Sequence, residues 1–232
     1  VRVVGPGRAG GSVQSALAAA GWFVEDPRRH GDDVADAALG VDLLVLAVPD
    51  RTIATVAAAI TPVDSTVVAH LAGSLGLDVL APHRRRAGLH PLVSLPSAEA
   101  GAGRLRGASF AVAGDPLVRE VVAALDGRPF QVADADRATY HAAACIASNH
   151  LVALLGQVER VAATIGLPLD AYLPLVAGTV DNVAALGPRD ALTGPAARGD
   201  QRTIDAHLAA LQPAEREAYL AMVALAQRLA AD

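Results

Sequence analysis

The sequence predicts an α/β half followed by an all-helical half, and three observations carry that expectation. A short β-branched run, Arg2-Val3-Val4, leads directly into the turn Gly5-Pro6-Gly7-Arg8-Ala9-Gly10-Gly11, which opens an Ala-rich helical stretch over 12–20. Strand-length apolar runs such as Leu43-Leu44-Val45-Leu46-Ala47-Val48 alternate with helical patterns, as expected of a mostly parallel sheet covered on both faces. Beyond Asp134 only the helical period survives, and residues 136–165 hold no proline, enough for a helix of about 45 Å. The predicted domains are 1–133 and 134–232.

The elements follow in chain order. Strands are predicted near the N-terminus and over 22–25, 43–48 and 65–69, with a helix starting near Thr52 that Asp50 is placed to cap. Pro91 forces His90 into extended backbone. A strand over 109–113, a helix over 115–125 and a strand over 128–132 complete the α/β half. Helices over 136–165, 170–186, 201–211 and 214–231 make up the rest.

Composition narrows the function. The 53% hydrophobic content comes mainly from Ala, Val and Leu, with 3% aromatics, so the cores are built from small aliphatic side chains. Net charge is -5, and Arg84-Arg85-Arg86 is a lone short basic run, which argues against a nucleic-acid partner. No apolar run approaches the roughly 20 residues of a membrane span. No leader-like pattern opens the sequence, so a cytoplasmic protein is expected. Cys145 is the single cysteine, which rules out an intrachain disulfide or a cysteine metal cluster, and no metal is expected. All 19 basic residues are Arg, so no lysine can serve as acid, Schiff base or phosphate clamp.

Gly5, Gly7 and Gly10 have G-x-G-x-x-G spacing between a strand and a helix. One glycine permits the tight turn, one lets a pyrophosphate reach the backbone, and one lets helix and strand pack closely. This is the dinucleotide signature of a Rossmann domain, here with a mostly parallel sheet and an all-helical C-terminal domain behind it. Gly5, Gly7, Arg8, Ala9 and Gly10 are the predicted pyrophosphate loop, joined by Val48, Pro49, Ala72 and Gly73 at later strand ends. Glu25 or Asp26 stands where an acid would bond the ribose of NAD. Arg28 and Arg29, with Arg8, instead suit a 2′-phosphate, so NADP(H) is preferred over NAD(H). Solvated surface charge is the competing account of both arginines.

Residues for substrate and proton transfer are sparser. His70 and Ser74 flank a glycine after the fourth strand, as substrate contacts or as ordinary loop residues. His90 is a candidate general acid with an ordinary pKa near 6.5, or a packed structural histidine. His141 and Asn149 share a face of the long helix, and Asn149 needs a partner there, either a ligand or a neighbouring helix. Cys145 on that face reads as a small buried hydrophobe. Asn182, Thr193 and Arg198 are further substrate candidates; Arg198 either holds a carboxylate or pairs with Asp200. Apolar faces in the helical half suggest a homodimer formed through it.

These segments together resemble a two-domain Rossmann-like family of the 6-phosphogluconate dehydrogenase-like superfamily, whose C-terminal half was catalogued as a domain of unknown function. The bearers are Gly5-Pro6-Gly7-Arg8-Ala9-Gly10, His70-Leu71-Ala72-Gly73-Ser74, Gly88-Leu89-His90-Pro91-Leu92, Ala147-Ser148-Asn149-His150-Leu151, Leu192-Thr193-Gly194-Pro195 and Arg198-Gly199-Asp200. Some members resemble an alternative class of ketopantoate reductase, which implies NADPH-dependent reduction of a small 2-oxo acid. Better-studied relatives carry a Lys and, four residues on, an Asn. Asn149 matches the second, but Cys145 replaces the first, which moves the expected catalysis to His90 or His141, with Arg198 and Asn149 orienting the substrate. The His-Pro pair is also similar to prephenate and arogenate dehydrogenases, and the Thr193 loop to the cyclic imine reductase pyrroline-5-carboxylate reductase. A non-catalytic NADP(H)-sensing protein is the remaining alternative.

Overall fold

A computed structural model describes residues 1–231, which divide into two compact units, Val1–Ser148 and Asn149 onward. The first unit is built on a six-stranded sheet in the order β1-β2-β3-β4-β5-β6. The strands are β1 (Arg2–Val4), β2 (Leu43–Leu46), β3 (Val67–His70), β4 (Arg85–Pro91), β5 (Ser109–Gly114) and β6 (Arg128–Phe130). All neighbours are parallel except β4 and β5. The mostly parallel α/β sheet read from the sequence is therefore present.

The continuous apolar character of β2 follows from burial on both faces. Leu43 and Val45 belong to one core with Val3, Val13, Leu17, Leu89 and Phe110. Leu44 and Leu46 point the other way, into a second core with Val4, Ile53, Ile60, Val68 and Leu80. Alternation with period two thus divides one strand between two cores. Helices α1 (Arg8–Ala19), α2 (Ile53–Ala59), α3 (Ala98–Leu105) and α4 (Leu117–Ala124) surround the sheet strands in sequence, and α1 packs against α3.

The strand expected over 22–25 does not form. The chain runs along β1 through Glu25 N–H to Val1 O (2.8 Å) and Arg28 N–H to Val3 O (2.9 Å), with a single bridge between Val4 and Arg28. Three residues on one side thus match two on the other, and Pro27, inside the extra step, has no N–H to give. β1 consequently has a bulged companion rather than a regular neighbour.

The helix expected over 136–165 is interrupted. It comprises α5 (Arg137–Cys145), a π turn over Ile146–His150 and α6 (Leu151–Ala163). The wider turn shifts the side-chain register, so the shared face assigned to His141 and Asn149 from a 3.6-residue period does not carry across it. The division between units falls at Ser148, later than the 133/134 boundary expected from the change in pattern. The reason is that α5 stays with the sheet: Arg137 is buried and Tyr140 stacks edgewise on Phe130 of β6.

The second unit is all helical: α6 is followed by α7 (Leu173–Leu186), α8 (Pro188–Ala191), α9 (Pro195–Arg198), α10 (Gln201–Ala210) and α11 (Pro213–Ala231). Arg160 of α6 grips Glu215 of α11 through two hydrogen bonds of 2.6 and 3.0 Å, and His207 of α10 meets the Tyr219 hydroxyl of α11 at 2.7 Å. Among the described residues no helix is long and apolar enough to cross a membrane.

Candidate functional site

In a parallel sheet the carboxyl ends of the strands share one edge, and that edge collects residues far apart in sequence. The pairing of His70 with Gly88 sets His90 two residues beyond β3's last paired position, at the same edge as the ends of β1 and β2. The sequence-predicted residues of the first unit gather there because the topology leaves them nowhere else to go.

The three fingerprint glycines have three distinct physical roles. Gly5 has φ +87°, and an added Cβ would stand 2.8 Å from Ala47 O and 3.1 Å from Val48 Cγ1, so the turn must be glycine where β1 passes the end of β2. A Cβ on Gly10 would press on Gly5 O, Ala47 Cβ (2.8 Å) and Val3 Cγ1 (3.0 Å), which is close packing of helix on strand. Gly7 is different: a Cβ there would meet no protein atom within 4 Å. The protein leaves that space open at the N-cap of α1, where no side chain closes the helix end and no acid occupies the first turn. The free amides of Arg8, Ala9 and Gly10 and the positive end of the helix dipole suit a pyrophosphate. The residues present therefore fit a dinucleotide, with Val48 and Pro49 beside the loop at the end of β2.

The bulge along β1 lies beside the same turn. Gly5 N–H donates to Arg28 O at 2.9 Å, which sets Arg28 and the exposed Arg29 beside the glycine turn. Glu25 lies 4.0 Å from the Arg2 guanidinium, and Arg28 is paired with Asp36 at 3.0 Å.

Several assignments change on the far side of the edge. His70 is fully buried: its Nδ1 accepts from Ala72 N–H at 3.2 Å, which leaves Nε2–H to donate to Gly76 O, also at 3.2 Å. Both ring nitrogens are used to shape the loop after β3, so His70 is structural rather than a substrate contact. Ala72 is buried with its amide committed to that bond, so it offers no donor to a cofactor. Gly73 is buried too, and serves as a seat for two imidazoles: a Cβ on it would stand 2.7 Å from His141 Nδ1 and 3.0 Å from His90 Cε1 and Nε2. Neither residue presents the open space found at Gly7. Asp50 forms no helix cap; its carboxylate accepts a long 3.4 Å hydrogen bond from Ser74, which remains half-buried at the edge.

His90 and His141 do come together, with ring centroids 6.0 Å apart. His141 Nδ1 is buried with no partner. His90 Nδ1 lies 2.6 Å from the Tyr140 hydroxyl. Burial, reinforced by His141, pushes the His90 pKa down to about 4, against a smaller opposing effect of Asp50. His90 is thus almost wholly a neutral imidazole at neutral pH, without the sizeable imidazolium fraction that an ordinary histidine keeps there. Tyr140, whose pKa burial raises, keeps its proton. Nothing in the sequence marks Tyr140 for a role, because its partner is 50 positions away.

In the helical unit, Asn149 is exposed on the π turn, and Asn182, Thr193 and Arg198 are also exposed. Asp200 caps α10, accepting from Thr203 N–H at 3.1 Å and from the Thr203 hydroxyl at 2.7 Å. That commits its carboxylate to the helix end rather than to Arg198.

A glycine-turn Rossmann sheet and a following all-helical unit define the class of protein. Comparison places it further: the model of a domain of unknown function, DUF2520, matches residues 110–226, and that of a Rossmann-like domain matches 25–96. The chain belongs to the DUF2520 family. No curated protein matches it. Among solved structures, a candidate NADP oxidoreductase from Bacteroides fragilis is 19% identical with a TM-score of 0.81, covering 98% of this chain and 97% of its own. A Thermotoga maritima protein is 23% identical with a TM-score of 0.75, covering 99% and 97%. A reductive aminase from Aspergillus terreus in complex with NADPH and ethyl-5-oxohexanoate is 14% identical with a TM-score of 0.70, covering 98% and 93%. At these identities the likeness establishes a shared fold.

Proposed function

We propose that the protein is an NADP(H)-dependent oxidoreductase that reduces a small 2-oxo acid such as ketopantoate. The observation that carries this reading is the pairing of an open cradle at Gly7 with a histidine–tyrosine cluster at the same edge of the sheet. Bound NADPH would supply hydride. The chain's part is to hold the diphosphate on the first-turn amides of α1, orient the acceptor, and provide a hydrogen-bond donor to the oxygen on which charge develops. His90 fills the last role, with His141 beside it.

The preference for NADP(H) over NAD(H) rests on the β1 edge. Glu25, one of the two acids that would hold a free ribose, is drawn toward Arg2, while Arg28 and Arg29 stand by the turn. The exposed pairing of Arg28 with Asp36 is weak enough for a phosphate to displace. Arg198, exposed in its own unit, is the candidate anchor for a substrate carboxylate. A homodimer through the helical unit belongs to the same proposal, as does a small-molecule substrate without nucleic-acid or membrane partners.

A specific observation favours a second reading. A neutral His90 is a weak acid, and a protonated imine needs no acid when it accepts hydride, so cyclic imine reduction is the alternative. An absorbance assay of NADPH and NADH oxidation against ketopantoate and a cyclic imine, with NADP+ and NAD+ reduction followed for prephenate-type substrates, tests both. Turnover with the oxo acid supports the first reading, turnover with the imine alone the second. Tight NADPH binding with no turnover on any would overturn both in favour of a sensing protein.

A further inference from the structure

We propose that Tyr140 is a positioning and proton-relay residue: its hydroxyl donates to His90 Nδ1, fixing the tautomer with hydrogen on Nε2 and standing as the proton reserve behind that nitrogen. The proposal rests on the reductase reading for its chemistry but not for its geometry. The hydroxyl and Nδ1 are 2.6 Å apart, with the rings edge to face at 5.5 Å and 90°. Two directions are open to such a bond. A phenol is a far stronger acid than a neutral imidazole N–H, and an imidazole nitrogen a far stronger base than a phenol oxygen, so O–H to N is the favoured one. Tyr140 is itself held in place, with Phe130 of β6 edgewise at 5.8 Å.

The charges around the pair fit the relay. His141 and Arg137 on α5, His70 on β3 and Asp50 after β2 act on His90; three of them disfavour an imidazolium and Asp50 alone favours one. The Arg137 guanidinium, buried and bonded to Asp134 at 2.7 Å, lowers the cost of negative charge on Tyr140. When the substrate carbon accepts hydride, its oxygen takes the Nε2 proton as the new O–H bond forms. Nδ1 takes the phenol proton in the same movement, so His90 stays neutral. The phenolate left beside Arg137 then regains a proton from water, which balances the step: one hydride and one proton into the substrate, one proton drawn from solvent.

The test is a long-range ¹H–¹⁵N correlation spectrum of the labelled full chain at about pH 7, with His90→Gln used to assign the resonance. Expected is a protonated Nε2 and an acceptor-type Nδ1 for His90, giving way to mixed tautomers in Tyr140→Phe. In turnover, wild type should be flat from about pH 6 to 9. Tyr140→Phe, left with imidazolium as its proton source, should fall about tenfold per pH unit over that range. An Nδ1–H tautomer in wild type, or a Tyr140→Phe profile as flat as wild type, overturns the relay. Should no substrate consume NADPH, the reductase reading fails separately, and the spectrum still decides the His90–Tyr140 arrangement.

Discussion

The two units of this chain use the same aliphatic alphabet to opposite effect. In the first, every residue of β2 and β3 is buried, and the sheet divides its side chains between two cores. In the second, Ala162 and Ile204 are the fully buried apolar residues among those described, while Val152, Ile165 and Leu175 are about 70% exposed (68%, 71% and 68%). A parallel sheet with helices completes its own interior. A set of helices of similar composition turns much of its apolar surface outward, and exposed apolar area of this kind marks an interaction surface. The first unit is thus finished by its own chain, whereas the second leaves apolar side chains that its own chain does not cover.

The sharpest test of that contrast is a pair of equivalent truncations. Leu44→Ala, in the core beneath β2, should cost about 2–5 kcal/mol in chemical denaturation, the range for deleting a fully buried leucine side chain. A loss below about 1 kcal/mol would mean that the sheet core is looser than its burial implies.

The edge of the first unit has its own pH signature. The folded pKa of His90 lies at about 4, below the 6.5 of an unfolded histidine. The unfolded chain therefore binds the proton first, and stability falls as pH drops below about 6.5, by on the order of 3 kcal/mol once below the folded pKa. His70 and His83, also lowered by burial, act in the same direction. Because both remain in His90→Gln, the difference between the variant and wild type, from denaturation at about pH 7 and pH 4.5, isolates His90. Equal acid sensitivity in the two proteins would show that His90 titrates normally.

Gly7 separates ligand binding from folding within the same unit. Gly7→Val places a side chain in space that no protein atom uses, at an ordinary negative φ of -76°. The melting temperature should hold, while NADPH affinity measured by calorimetry falls about a hundredfold or more, as the branched side chain stands where the diphosphate must approach. Unchanged affinity would remove the cofactor from this loop. Gly10→Val, which collides with Gly5 O, Ala47 and Val3, should instead lower stability outright.

How much of this was legible in the sequence depends on the range of the forces involved. The roles of Gly5, Gly7 and Gly10 are local, and their spacing between a strand and a helix was enough to distinguish them. The convergence of Val48, Ser74 and His90 was legible because parallel topology imposes it. The missing strand at 22–25 turned on a single absent N–H at Pro27, which a count of β-branched residues does not weigh. The π turn at 146–150 was invisible because neither proline nor glycine marks it in Ile146-Ala147-Ser148-Asn149-His150. The reassignment of His70, and the partnership of His90 with Tyr140, depend on burial and on contacts between distant segments. No residue-by-residue pattern encodes either.

The smallest effect expected is also the one that decides what the helical unit is for. Leu175→Ala should change the stability of dilute protein by no more than about 0.5 kcal/mol, as for an exposed side chain away from any core. If a second copy covers this surface, the wild-type melting temperature rises with protein concentration, since only the folded state associates. Replacing Val152 and Leu175 by Glu should then abolish that dependence and yield a monomer in sedimentation, because two charges would have to be buried without partners. A concentration-independent melting temperature in wild type would dispose of the homodimer. A Leu175→Ala loss as large as that of Leu44→Ala in dilute solution would go further, since it would show that the helical unit shelters its leucines and that the contrast between the two units is false.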